Sequence, residues 1–431
     1  MSKSMHPTVA ARAVGQGEAA LPQSLTVSLG ELAGAVKEGL LAFSVGVGLE
    51  VLQLLMEEDV TALAGPKGRH DPARGAVRHG YEDGSVTLGG RRVPVRRPRV
   101  RAADGTAELP VAAYEHFART ELLGAMALER MLGGLSTRDY RVGLEPVGAA
   151  VSERARATSR SAVSRRFVAR TQTALAELLA ADLSGIDPVA ILVDGVGFAE
   201  HLCVVALVID AEGRKHPVGL REGSTENATL VGDLLVDLRE RGLDVTRPIL
   251  AVLDGAKALV KGVRQVFDQP LIQRCIVHKL RILDYLPEAE RSWVAAVCQR
   301  AWREPDAGKA ERDLAALAAR LDKRHPGAAA SVREGLAETL TVTRLGVPDK
   351  LARTLRTTNP VESMLSICRQ HSGNVKRWRD GQMALRWCAA GMLEAQSQFR
   401  RVKGYKEIPI LIAAMDRHFH PQMLAGKEEV A

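Results

Sequence analysis

Two aspartates each stand at the C-terminal end of an apolar run, Asp194 in "ILVDG" and Asp254 in "AVLDG". A carboxylate carried to the edge of a core must be hydrogen-bonded, protonated or met by a cation. Taken singly, each has an ordinary use: Asp254 as N-cap of a following helix, Asp194 with Gly195 in a turn. Side by side they repel, and hard divalent ions with oxygen ligands relieve that repulsion. Two ions call for a third carboxylate, and "RTTNPVESMLSICRQ" supplies Glu362. With Asn359 as N-cap and Pro360 at the first helical position, Glu362 also completes most of a capping box; the two uses are compatible. Cys275 and His278 in "QRCIVHK" have the spacing of two zinc ligands, but no second pair accompanies them. The alternative is a core thiol on a strand and a histidine at its end.

The elements around these residues follow from the period of the apolar pattern. From about 188 it is two. "VAILVD", "HLCVVALVID" and "HPVGLRE" read as three strands at hairpin spacing. "TENATLVGDLLVDLRERGL" is an amphipathic helix capped near Ser224 or Thr225. "RPILAVLD" is continuously apolar, so it is a strand buried on both faces. A helix, "GAKALVKGVRQVF", and a fifth strand, "PLIQRCIVH", complete the series. The order β-β-β-α-β-α-β predicts a ribonuclease-H-like mixed α/β sheet in which the first and fourth strands are neighbours. Asp194 and Asp254 are then side by side.

Charge supplies the next expectation. The chain has 431 residues, a formal net charge of +8 and a pI of about 9.3, which suits a polyanionic partner. Residues 1–60 are net acidic by about four and 61–170 net basic by about nine. In "GYEDGSVTLGGRRVPVRRPRVR", Asp83-Gly84 and Gly89-Gly90 read as turns between strands. Arg91, Arg92, Arg96, Arg97, Arg99 and Arg101 crowd the second strand, and Pro94 and Pro98 confine it to an edge. This is a basic ribbon for phosphates or an edge blunted by charge. Residues 115–170 read as short helices. Ser136 caps one, and a Ser/Arg-rich helix after it offers Arg160, Arg165 and Arg166, an arrangement suited to a helix-turn-helix reader. "VKRWRDGQMALRW" adds Lys376, Arg377, Trp378 and Arg379, either a basic-aromatic set for a phosphate or unpaired base, or a buried Trp beside a solvated turn.

Five scattered cysteines without a CxxC pair fit a reducing compartment. "MSKSMHPTVAARAVGQG" lacks the apolar core of a signal peptide, and "GLLAFSVGVGLEVLQLL" contains Glu50 and is shorter than a membrane span. A cytoplasmic, nucleoid-associated chain is expected, with no membrane partner.

The tags "ILVDG", "VGLREGSTEN", "LRERGL", "AVLDGAKAL", "QRCIVHKLRI" and "TTNPVES" fall in an order that resembles the IS256/Mutator-type transposases over roughly residues 80–415. The resemblance implies a DDE transposase with its acidic triad on Asp194, Asp254 and Glu362 and two Mg²⁺ or Mn²⁺ ions. It implies a helical insertion between the second aspartate and the glutamate, and a C-x-x-H tag at Cys275 and His278; on chemical grounds His278 near the reacting phosphate is preferred to a zinc ligand. After the glutamate this chain departs from the family's usual Asn and Arg-rich run. The expected partners are DNA, as terminal inverted repeats and target, and further copies of the chain, as a homodimer or larger assembly.

The expected organisation is a disordered tail (1–22), an N-terminal helical region (23–79), the basic β-ribbon (80–112) and a helix-turn-helix-like DNA-binding region (113–185). A catalytic core (186–279 and 351–405) follows, interrupted by an all-α insertion (280–350) and ending in a C-terminal tail (406–431). Two rivals share many of these features: a nuclease of the same fold without strand transfer, and a catalytically inactive DNA-binding copy.

Overall fold

A computed structural model describes residues 39–421 apart from 70 and 72. The expected tail at 1–22 and the start of the N-terminal helical region lie outside the described residues. The chain divides into two compact units, one of residues up to Leu123 with Arg141–Ser159, the other of Gly124–Tyr140 with the chain from Arg160.

In the first unit the helix Leu40–Ala64 packs on a small antiparallel sheet of β1 (Ala76–Leu88), β2 (Arg91–Ala102) and β3 (Glu108–Leu109). By length and composition this helix could cross a membrane. Its stripe Leu52, Met56, Val60 and Ala64, at helical i, i+4 spacing, is nevertheless buried with Val86, Val93 and Val100 of the sheet. Gly89 and Gly90, both at positive φ (50° and 80°), form the hairpin turn that links β1 to β2. Asp83-Gly84 is not a turn: β1 runs straight through it, with Asp83 opposite Arg96 and Gly84 opposite Val95. Gly84 is glycine because a Cβ there would lie 2.8 Å from the Tyr114 hydroxyl. The order β1-β2-β3 makes β2 the central strand rather than the expected edge; Pro94 and Pro98 lie opposite Ser85 and Tyr81 of β1 and are tolerated because β3 pairs only with Val100 and Arg101 on the other side.

The second unit is built on a five-stranded sheet of β4 (Pro188–Phe198), β5 (His201–Asp210), β6 (Lys215–Gly223), β7 (Ile249–Leu253) and β8 (Pro270–Arg274). Their order across the sheet is β6-β5-β4-β7-β8. β4, β5 and β6 are joined antiparallel, and β7 and β8 run parallel to β4. Alternation along each strand sorts its side chains between two cores. Ile191 and Val193 of β4, with Ala251 and Leu253 of β7, face the helices Ala228–Glu240 and Lys257–Val266. Ala190, Leu192 and Val196, with Leu250 and Val252, face the helices Arg160–Ala180, Asn359–Ser372, Gly381–Ser397 and Ile408–Phe419.

Several expected boundaries move. Asn227, not Ser224 or Thr225, caps the helix Ala228–Glu240, accepting the Leu230 N–H at 2.9 Å. The tail expected from 406 contains the helix Ile408–Phe419, because its run "IPILIAAM" places Leu411 and Met415 in the core. No single helix-turn-helix body spans 113–185, since the chain passes between the two units within it. Ser136 caps a turn rather than a helix, accepting from the N–H groups of Arg138 and Asp139. The helix Arg160–Ala180 is an integral wall of the sheet unit, with Phe167 packed on Trp387 at 4.5 Å between ring centroids.

Residues 280–350 are helical and hold a core of their own, including Ile282, Val294, Trp302, Leu314 and Leu340. Buried Lys279 donates to the Ser331 and Glu334 carbonyls and so fastens these helices to the chain leaving β8.

Candidate active site

Strand register decides where the aspartates stand. Leu192 of β4 pairs with Val252 of β7; two positions on come Asp194, within β4, and Asp254, the first residue after β7. Asp194 therefore shares the parity of Leu192 and points to the face on which the helix Asn359–Ser372 packs, and Asp254 is near enough to add its charge to it. Each carboxylate takes one local backbone bond: Asp194 from the Gly195 N–H at 2.8 Å, Asp254 from the Ala256 N–H at 2.7 Å. Asp254 thus makes an Asx turn, and Ala256, not Asp254, occupies the N-cap of the helix Lys257–Val266. Gly255 between them lies at φ 102°, where a Cβ would overlap the Arg274 guanidinium. Only glycine lets the chain leave β7 this way.

Glu362 enters from the first turn of the helix Asn359–Ser372. The expected capping box does not form. Thr358 rather than Asn359 occupies the N-cap, Pro360 falls one position further in, and the Glu362 side chain accepts from the Thr358 hydroxyl instead of from helix backbone. The carboxylate is left to face the aspartates.

The electrostatics register the convergence. Burial pushes the Asp194 carboxyl up to about 6, with the charges of Asp254 and Glu362 adding to it and the Gly195 N–H and His278 opposing it. A fourth carboxylate, Glu226, is also held above its usual range, by burial and then by Asp254 and Asp194. A Cβ at Gly195 would lie 3.0 Å from its Oε2, so Glu226 leans directly over the backbone after Asp194. Sequence reasoning missed this residue: in "STEN" it has no periodicity and precedes a cap, so it reads as a solvated loop. Among the described residues no Lys or Arg forms an ion pair with Asp194, Asp254, Glu226 or Glu362; the sole ion-pair contact is from His278 Nδ1 to Glu362 Oε1, at 3.5 Å. A concentration of hard oxygen donors with one histidine and no lysine or arginine among the described residues to balance it fits Mg²⁺ or Mn²⁺.

Cys275 and His278 border the cluster from a different element than expected. β8 ends at Arg274, Cys275 occupies the N-cap of the short helix Ile276–Lys279, and His278 lies within that helix. Fully buried Cys275 receives the Thr358 N–H on its sulfur at 3.3 Å. Burial raises its thiol, but hydrogen bonds with His278 and Thr358 outweigh that and bring it below the usual value. The bond to Cys275 in turn raises His278. Cys275, His278 and Glu362 place ligand-type atoms within 4.8 Å of one another. With no further cysteine or histidine in that group, it falls short of the four-ligand set of a structural zinc site.

The basic candidates separate into two groups. Arg91 is buried and donates to the Glu145 carbonyl at 2.7 Å. Arg92 donates to Ser85, Thr87 and the Ala118 carbonyl. Arg97 pairs with Glu82 and lies over Tyr114, and Arg99 forks onto Glu108. Those four hold the first unit together. Arg96 stacks on Tyr81 with its head exposed, and Arg101 is half-buried; among the described residues neither has a carboxylate in ion-pair range. In the second unit Arg160, Arg165, Lys376, Arg377 and Arg379 are exposed and Arg166 is half-buried. Trp378 is not a free platform: it packs on Phe198, the last residue of β4, at 4.8 Å, and edge-on to Trp387. That contact ties the basic turn after the helix Asn359–Ser372 to the carboxylate end of β4.

Comparison with known proteins identifies the family. Residues 34–402 match the model of the family described as "Transposase, Mutator family". The transposase for insertion sequence element IS6120 of Mycolicibacterium smegmatis is 32% identical over 248 residues, covering 55% of this chain and 73% of that protein. The transposase for insertion sequence element ISRM5 of Rhizobium meliloti is 28% identical over 363 residues, covering 83% and 87%. The carboxylates, the basic surfaces and the greater part of the chain's length all fall within the matched span, and the chain belongs to the Mutator family of transposases.

Proposed function

We propose that this transposase cleaves and joins DNA by divalent-cation-dependent phosphoryl transfer at Asp194, Asp254 and Glu362, on a ribonuclease-H-like core. The observation that carries the reading is the convergence of three carboxylates, from β4, the residue just after the adjacent parallel β7 and one helix turn, with no lysine or arginine among the described residues paired to them. The strand order β6-β5-β4-β7-β8 is the one such a core requires.

Asp194, Asp254 and Glu362 would hold two Mg²⁺ or Mn²⁺ ions. When bound, the ions supply charge neutralisation at the attacking and leaving oxygens of an in-line displacement. The chain's own groups do the rest. Asp194 and Asp254 stay fixed through their backbone bonds to Gly195 and Ala256, so their free oxygens are pre-aimed. Glu226 adds negative charge beside Asp194. His278 has Nδ1 turned to Glu362 and Thr358, and in its protonated form, which the bond to Cys275 favours, it would donate from Nε2 to a phosphate oxygen. Water serves as nucleophile in cleaving the element's end, and the freed 3′-hydroxyl attacks the target strand in the same site. The exposed Arg160, Arg165, Lys376, Arg377 and Arg379 with Arg96 are the candidates for phosphate contact, and pairing two ends calls for more than one copy of the chain.

The test is cleavage and joining of a labelled duplex carrying the terminal inverted repeats, in Mg²⁺ or Mn²⁺, with Asp254→Ala beside the wild type. Joined product lost in the variant supports the reading. Cleavage without joining points to a nuclease, and binding with neither step to an inactive copy.

A further inference from the structure

We propose that Thr358 is the positioning residue of this site: its hydroxyl fixes the Glu362 carboxylate and the His278 ring relative to the strand that carries Asp254. The inference rests on the phosphoryl-transfer reading above and concerns how the third carboxylate, distant in sequence, is brought into register with the second.

Thr358 is fully buried, in the last residue before the helix Asn359–Ser372. A threonine at an N-cap ordinarily turns its oxygen to a backbone N–H of the first turn. Here no such bond exists. The hydroxyl instead lies against Glu362 Oε1, 3.2 Å from His278 Nδ1 and 3.3 Å from Cys275 Sγ. A hydroxyl has one proton and two lone pairs, and an ionised carboxylate only accepts. The proton therefore goes to Glu362, and the threonine oxygen is free to accept from His278 Nδ1 when that nitrogen carries a proton. One side chain thus touches both the carboxylate and the histidine ring.

The backbone of Thr358 is anchored in turn. Its N–H donates to Cys275 Sγ at 3.3 Å, and the Cys275 N–H donates to the Leu253 carbonyl at 2.7 Å. Leu253 is the residue immediately before Asp254. A continuous set of bonds therefore runs from the end of β7 through Cys275 and Thr358 to Glu362. The hydroxyl is its final link, and His278 Nδ1 reaches the same carboxylate at 3.5 Å.

The experiment uses the full chain and three proteins: wild type, Thr358→Val, which keeps the volume and removes the hydroxyl, and Thr358→Ser, which keeps the hydroxyl. Mn²⁺ alone is titrated into each by calorimetry, and cleavage of the terminal-repeat duplex is measured alongside. Thr358→Val is expected to bind Mn²⁺ about tenfold more weakly and to cleave about 10- to 100-fold more slowly, with duplex affinity unchanged. Thr358→Ser is expected within about threefold of wild type in both. Should the valine protein not fold, Thr358→Ala takes its place against the serine variant. Valine and wild-type proteins alike in Mn²⁺ binding and cleavage would overturn the inference, as would serine no better than valine. Wild type that takes up no Mn²⁺ would instead remove the cation reading itself, and the inference with it.

Discussion

The arginine-rich ribbon and the acidic cluster are opposite in sign, and the fold treats them in opposite ways. In the ribbon, Arg97 and Arg99 meet Glu82 and Glu108 across the sheet, Arg92 is wrapped by Ser85, Thr87 and the Ala118 carbonyl, and Arg91 is buried against a carbonyl. Its charge is largely consumed in holding the first unit together. At the ends of β4 and β7 the carboxylates are brought together and left without a lysine or arginine. Clustered like charge inside a protein is costly, and a divalent cation would offset that cost. A charge run read from sequence therefore says little until its partners are known.

The largest expected effect is on the acidic side. Asp254→Asn should lower the rate of cleavage at least about 1000-fold, and Glu226→Gln by about tenfold, with duplex binding retained in both. Single-turnover cleavage of a labelled end measures this. Equal losses for the two would make Glu226 a full member of the triad, and no loss for Asp254→Asn would break the comparison.

A stability effect of opposite direction follows from the same repulsion. In the absence of metal the Asp194 carboxyl has its folded pKa raised to about 6 from 3.8. Folding then favours the protonated form, so this group's contribution is complete below about pH 4 and is lost as pH rises through about 6. At pH 8 and with chelator present, Asp194→Asn should be more stable than wild type by about 2 kcal/mol, and the difference should vanish near pH 4. Urea unfolding at the two pH values is the measurement.

On the basic side, structural and free arginines should behave differently. Arg92→Ala removes the partner of several half-buried oxygens and should cost about 1–2 kcal/mol of stability in thermal or urea melts. Arg96→Ala should leave stability within about 0.5 kcal/mol and weaken duplex binding a few-fold, with the salt dependence of binding reduced by about one ion. Identical behaviour of the two variants would remove the distinction between them.

How much of this was legible in the sequence depends on the kind of signal. The apolar runs ending in Asp194 and Asp254 carried both strand identity and parity, and adjacency of β4 and β7 followed from element order. Glu362 was legible as a residue but not as a geometry: the capping-box pattern fits it, yet Thr358 takes the cap and sends its hydroxyl elsewhere. Glu226 was silent, because a loop residue acquires its role only when Gly195 lets it approach. The arginines of the ribbon were misleading for a related reason: Glu82 and Glu108 lie outside the run, and only the strand register shows that they face it. Local period predicts which residues share a face. Partners brought from far along the chain are set by packing.

The most direct test of the account is where a divalent cation binds. Crystals of the full chain grown with Mn²⁺ and measured at its absorption edge would show it by anomalous density. The account predicts density among Asp194, Asp254 and Glu362, with oxygen ligands at about 2.0–2.3 Å. Density on Cys275 and His278 instead, or none at the carboxylates at saturating Mn²⁺, would contradict it.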